Sequence, residues 1–116
     1  MNNIKKNIVT NTDDMSLAIK SLQKCIIKLV LVVKDNKLIG TITDGDIRRA
    51  LLNGKNLQTK CQDIMNIDPK CALVNDYKNI NKLLISYRYI PLIDENKNIV
   101  DIISNENNQQ NYSLTN

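Results

Sequence analysis

Gly40-Thr41-Ile42-Thr43-Asp44-Gly45-Asp46-Ile47-Arg48-Arg49 decides the reading of this chain. The apolar run that ends at Ile42 reads as a strand, and Ile47-Arg48-Arg49-Ala50-Leu51-Leu52 reads as a helix. Thr43 to Asp46 therefore stand where a strand turns into a helix. A helix N-terminus exposes unpaired N–H groups and the positive end of the dipole, which favours an anion. Thr43 offers a hydroxyl to a phosphate oxygen, Asp46 a carboxylate for the two hydroxyls of a ribose, and Arg48 and Arg49 supply charge within a turn. The same Thr-x-x-Asp spacing is also a capping box, with Asp46 reaching back to the Thr43 amide. The residues alone leave both readings open.

Around this corner the chain has a regular order. Ile8-Val9-Thr10 is a short strand after a polar start over residues 1–7. Thr12-Asp13-Asp14 opens a helix, whose apolar face is Met15, Ala18, Ile19, Leu22 and Ile26. Leu29-Val30-Leu31-Val32-Val33 is a buried strand, and Lys34-Asp35-Asn36-Lys37 turns it into the strand that leads to Thr43. Gly40 lacks a side chain where another backbone or a ligand approaches. The helix after the corner ends at Asn53-Gly54, with Gly54 as a left-handed cap. Residues 55–60 are a polar connector, and Ile64-Met65 closes a short helical turn before Asp68-Pro69.

The order then repeats. Cys71-Ala72-Leu73-Val74 is a strand, Asn75-Asp76 a cap, and Tyr77, Ile80, Leu83, Leu84 and Tyr87 a helical face. Ile90-Pro91-Leu92-Ile93 and Ile99-Val100-Asp101-Ile102-Ile103 are the next two strands, joined by Asp94-Glu95-Asn96-Lys97. Corresponding positions lie about 60 residues apart, which marks an internal repeat. The expected class is α/β (α+β), with two units of strand, helix, strand, strand, helix. One unit is too small to bury its own sheet, so the two are expected to pack as a pseudo-two-fold pair. The expected division is 1–62, 63–104 and a polar, disordered tail at 105–116, where the last helix is weak or absent.

Composition narrows the function. The 116 residues contain no His, and the three cysteines, Cys25, Cys61 and Cys71, are widely spaced, so no metal site or disulfide framework is expected. The net charge of +4 comes from scattered lysines, and the only aromatics are tyrosines, which argues against a nucleic-acid surface. No run approaches the ~18 apolar residues of a membrane span. The N-terminus has no signal-peptide segment, and a cytoplasmic location is expected. No nucleophile has an evident base, so catalysis by this chain is not expected.

Three features together resemble a CBS-domain pair, or Bateman module, over about residues 7–104. They are Gly40, Thr43 and Asp46 in a Gly-x-x-Thr-x-x-Asp pattern; Asp63-Ile64-Met65-Asn66 before Asp68-Pro69; and Ile90-Pro91-Leu92-Ile93-Asp94. The stretch from Ile39 to Arg49 is similar to the CBS pairs found beside sugar-nucleotide nucleotidyltransferases or sugar-phosphate isomerases. Neither catalytic domain is recognised here, so a regulatory fragment or a stand-alone relative is expected.

The resemblance implies a sensor that binds an adenosine-type ligand, AMP, ADP or ATP, in a cleft between the units, with no cofactor required. By that likeness Thr43 contacts phosphate, Asp46 the ribose, and the adenine lies by Val9, Thr10, Val30 and Leu31. The implied ligand set is Gly40, Thr43, Asp46, Arg48, Arg49 and Thr10. The family also implies a homodimer and, as a partner, a nucleotidyltransferase domain. The alternative is a ligand-free dimerisation or scaffold module. In the second unit Asp101, Ser104 and Asn107 stand at the corresponding positions, which adds an acid and removes a carboxylate. One ligand per chain is expected.

Overall fold

A computed structural model describes residues 3–105. The chain divides into two compact units, one of Asn3–Pro69 and one that begins at Lys70. The class is mixed α and β, with three α-helices and two small sheets among the described residues.

The first unit contains β1 (Ile8–Thr10), α1 (Met15–Lys24), β2 (Val30–Lys34), β3 (Lys37–Ile42) and α2 (Asp44–Leu52). β1 and β2 are parallel, as a strand–helix–strand crossover requires, and β2 and β3 form an antiparallel hairpin. Asp35 and Asn36 both have positive φ, 52° and 66°. This is the two-residue turn whose twist matches a hairpin, and Asp and Asn tolerate it better than most residues. Met15, Ala18 and Leu22 from α1 and Ile47 and Ala50 from α2 pack with the sheet residues Val9, Val30, Val32 and Ile42. Each large aliphatic side chain so buried contributes about 1.5–3 kcal/mol.

Three details depart from the sequence reading. The helix expected to open at Thr12-Asp13-Asp14 starts only after Asp14, its N-cap, whose carboxylate accepts from the Leu17 amide at 3.3 Å. Ile26 is 94% exposed, because α1 stops at Lys24 and the Lys28 ammonium donates to the Leu22 carbonyl at 2.7 Å, closing the helix end. The start of the chain is tied down: Ile4–Asn7 is a 3-10 turn, and the buried Asn7 amide donates to the carbonyls of Ile27 (3.0 Å) and Leu29 (2.8 Å). A buried amide with its hydrogen bonds made is stable in a core, yet hydrophobic periodicity does not register it.

A segment after α2 closes the unit. Cys61–Asp63 forms a 3-10 turn, the Cys61 amide donates to the Asp13 carbonyl at 2.7 Å, and Asn66 pairs with Thr41 in an isolated antiparallel bridge. Gly40 lies beneath this segment. A Cβ there would stand 2.8 Å from both the Asn66 carbonyl oxygen and the Met65 Cγ. The close approach at Gly40 is thus made by the protein's own backbone and Met65.

The second unit contains β4 (Ala72–Leu73), α3 (Tyr77–Ser86), β5 (Tyr89–Ile93) and β6 (Ile99–Ser104). The pairing is the same: β4 parallel to β5, and β5 antiparallel to β6. The irregularities also correspond. Val32 pairs with Gly40 and Val33 with Leu38, leaving Ile39 as an extra residue; Leu92 pairs with Asp101 and Ile93 with Ile99, leaving Val100. A bulge repeated at the same step is a feature of the unit and not a local accident. Ile80 and Leu84 pack on Ala72, Ile90 and Leu92. Tyr77 is 73% exposed and Tyr87 follows the helix end, so neither extends the buried face as the spacing suggested. The expected last helix and the polar tail, 105–116, lie outside the described residues apart from Asn105.

Gly40→Ala is expected to destabilise the protein by about 1–3 kcal/mol, the usual cost of overpacking. Gly45→Ala is the contrast: its Cβ would meet nothing closer than an Arg49 guanidinium nitrogen at 3.4 Å, and Ala is the better helix former by about 1 kcal/mol. Urea denaturation checks both. Equal midpoints for the two variants would show that the segment over Gly40 moves aside freely.

Candidate functional site

The corner between β3 and α2 is held by reciprocal hydrogen bonds. Thr43 is the N-cap of α2, in extended conformation (φ −114°, ψ 172°). Its hydroxyl oxygen accepts from the Asp46 amide at 3.3 Å. Asp46 Oδ2 in turn accepts from the Thr43 amide at 2.9 Å and from the Thr43 hydroxyl at 3.0 Å. Asp46 Oδ1 accepts from Arg49 Nη2 at 2.6 Å, a salt bridge one turn along the helix. The Asp46 side chain is 14% exposed and that of Arg49 68%. The cap is therefore the firm part, worth about 1 kcal/mol. The exposed ion pair is the loose part, worth about 0.2–1 kcal/mol.

The structure brings together Thr43, Asp46 and Arg49, and separates the other expected residues. Arg48 is exposed on the helix beside Arg49. Gly40 is covered by Met65 and Asn66. Thr10 pairs with Val33, which pairs with Leu38 at the start of β3, whereas Thr43 follows the end of β3. Thr10 and the corner thus lie at opposite ends of the sheet, about 15 Å apart at ~3.3 Å per residue. Val9 and Val30 are core residues beneath the helices, so they offer no surface for a base on that face.

A groove of about 210 Å³ adjoins the corner, lined by Asp46 and Arg49 of α2, its C-cap Asn53, and Lys55, Asp63 and Ile64. Two acids face two cations there. Lys55, Asp63 and Ile64 come from the connector and the turn that follows, where no periodicity announces a wall. The Asp46–Arg49 contact, by contrast, was legible as an i,i+3 pair of opposite charge. A second hollow of about 230 Å³ in the other unit is lined by Leu73, Val74, Ile93, Asp94, Glu95 and Asn96, with acids and no cation.

Charge elsewhere gives no sign of reactivity. Burial pushes the Cys61 thiol up to about 11, with Asp13 and Asp14 adding to the shift, so the thiol stays protonated at neutral pH. The Ser16 hydroxyl, 2.5 Å from Asp14 Oδ1, holds the Asp14 carboxyl below the usual carboxylate range, aided by the amides of Leu17 and Ser16. Among the described residues no cluster of acids, Cys or His is placed to hold a metal ion, and no helix is long and apolar enough to cross a membrane.

The second corner is built differently. Asp101 pairs opposite Leu92, as Gly40 pairs opposite Val32, and its Oδ1 accepts from the Ile102 amide at 2.8 Å. Ser104 is buried, and the Asn105 side chain donates to the Leu84 carbonyl at 3.1 Å. Asn107 lies outside the described residues.

The CBS domain family model matches residues 6–53, which run from before β1 to the end of α2 and include the whole corner. An uncharacterized protein of Helicobacter pylori strain J99 is 32% identical over 78 residues, 67% of this chain and 22% of the relative. The chain thus spans about a fifth of the length of that relative. The CbpB protein of Listeria monocytogenes, solved in complex with c-di-AMP, superposes with a TM-score of 0.80 at 20% identity, over 99% of this chain and 92% of that one. A CBS domain protein of Pyrobaculum aerophilum complexed with AMP gives 0.70 at 15% identity, over 84% and 78%. These likenesses establish the fold. The match to the CBS domain model covers β1 to α2, and the described chain has the fold of CBS-domain proteins.

Thr43→Ala and Asp46→Ala are each expected to lower stability by about 1 kcal/mol, since each removes half of the capping box. Arg49→Ala is expected to change it by less than ~0.5 kcal/mol. Denaturant midpoints measure all three. An Arg49→Ala loss as large as that of Thr43→Ala would show that the ion pair, not the cap, holds the corner.

Proposed function

We propose that this chain is a regulatory module that senses an adenine nucleotide at the first-unit corner. The observation that carries the reading is the Thr43–Asp46 pair at the start of α2, within the match to the CBS domain model over residues 6–53. Proteins of this fold have been solved with c-di-AMP and with AMP, both adenine nucleotides with a ribose and a phosphate. Here the amides at the start of α2 face phosphate, Asp46 accepts from the ribose hydroxyls, and Arg48 and Arg49 supply cationic charge. AMP, ADP and ATP are the candidate ligands. The groove of about 210 Å³ is smaller than the roughly 300–1,000 Å³ of small-molecule pockets, so it accommodates part of a nucleotide.

In this reading the module acts in the cytoplasm on an output domain. The 22% of its relative that the chain spans leaves room there for one, and the likeness of residues 39–49 to nucleotidyltransferase-associated modules supports a domain of that kind. Self-association belongs to the same reading. Ile85 and Tyr77 on α3 are 83% and 73% exposed, and large apolar side chains grouped on one helix mark interaction surfaces.

Calorimetric titration of AMP, ADP, ATP and c-di-AMP into the wild type and Asp46→Ala tests the site. One ligand per chain is expected, weakened about tenfold or more in the variant by loss of a charged hydrogen-bond partner. Equal binding by the variant would reduce the corner to a helix cap, and wild type that binds none of the four would favour the scaffold reading. Light scattering at tens of micromolar, a concentration suited to weak association, is expected to give twice the chain mass; a single monomeric species would remove the dimer.

A further inference from the structure

We propose that Arg49 makes this site select phosphorylated ligands: it exchanges Asp46 for the phosphate when a ribose takes its place on the carboxylate. The inference rests on the reading of the corner as a nucleotide site. A carboxylate has about four acceptor positions, and here Asp46 uses three, two on Oδ2 for Thr43 and one on Oδ1 for Arg49. A ribose diol donates two hydrogen bonds, so one present partner must leave. The Thr43 amide bond is fixed by the backbone of the helix cap, and the Thr43 hydroxyl oxygen is held beside the carboxylate by the Asp46 amide. Arg49 is the removable partner, on a side chain 68% exposed.

The released guanidinium has somewhere to go. Arg49 also lines the groove beside Asp46, with Lys55 as a second cation on its wall. Gly45 puts no side chain beside Arg49 and Thr43, where a Cβ would stand 3.4 Å from Arg49 Nη1 and 3.6 Å from Thr43 Oγ1. The planar guanidinium fork matches two phosphate oxygens at once. A nucleoside without phosphate displaces Arg49 and returns nothing to it, whereas a nucleotide gives it a new anion. Removing Arg49 should therefore act in opposite directions on the two ligands.

Calorimetric titration with adenosine and AMP tests this in the wild type, Arg49→Ala, Arg49→Lys and Lys24→Ala, the last removing one positive charge at the end of α1. In Arg49→Ala, AMP is expected to bind about tenfold more weakly and adenosine as well as or better than to wild type, given that charged hydrogen bonds are the strong ones. Arg49→Lys should retain part of the AMP preference, and Lys24→Ala should retain it within about twofold, as an exposed charge screened by salt would. A fall in the AMP-over-adenosine preference of more than about threefold in Arg49→Ala alone supports the exchange. A smaller fall, or an equal fall in Lys24→Ala, overturns it while leaving the nucleotide site in place. Wild type that binds neither probe overturns the site itself.

Discussion

The Asp46 carboxylate has three of its roughly four acceptor positions already taken. Thr43 takes one oxygen with its amide and hydroxyl, and Arg49 takes the other. The start of α2, and with it the join of sheet to helix, depends on the first claim. In the proposed function, recognition of a ribose depends on relaxing the second. A helix cap and a binding site are usually weighed as rival explanations of a Thr-x-x-Asp motif. In the proposed function the two uses fall on different oxygens of one side chain. The cap orients the carboxylate and fixes the amides around it, which is the pre-organisation that makes polar recognition inexpensive.

The repeat made most of the fold legible. Aliphatic strands, Asp caps and a hairpin turn recur at about 60-residue spacing, and the structure shows the same pairing and the same bulge in both units. The corner was legible for the same reason, because a capping box is a local pattern whose partners lie three residues apart. What escaped the sequence was non-local. The Asn7 amide reaches the carbonyls of Ile27 and Leu29 across about 20 residues, and a buried polar residue carries no periodic signal. Ile26 has the right spacing for the helical face, yet the helix ends two residues before it. Thr10, expected among the ligand residues by its position in the unit, stands at the other end of the sheet from the corner.

Gly40 shows how one motif residue serves a role different from its neighbours. It stands in the same Gly-x-x-Thr-x-x-Asp pattern as Thr43 and Asp46, but its missing side chain admits Met65 and Asn66. That contact brings residues 61–66 over β3 and sets the wall of the groove beside Asp46, through Asp63 and Ile64. At the same register in the second unit stands Asp101, whose side chain would fill that approach. The units share strand order and bulge while differing in what can close over the last strand. This is a packing reason, separate from charge, for expecting the two corners to behave differently.

The most direct measurement is a two-dimensional ¹⁵N NMR titration of the chain with AMP, following backbone amides and the arginine side chains together. The account predicts that the largest changes fall on the amides of Thr43, Gly45 and Asp46 and on the Nε resonance of Arg49, saturating together. Changes that leave those resonances in place while others move, or a spectrum unchanged at millimolar AMP, well above weak binding constants, would contradict it.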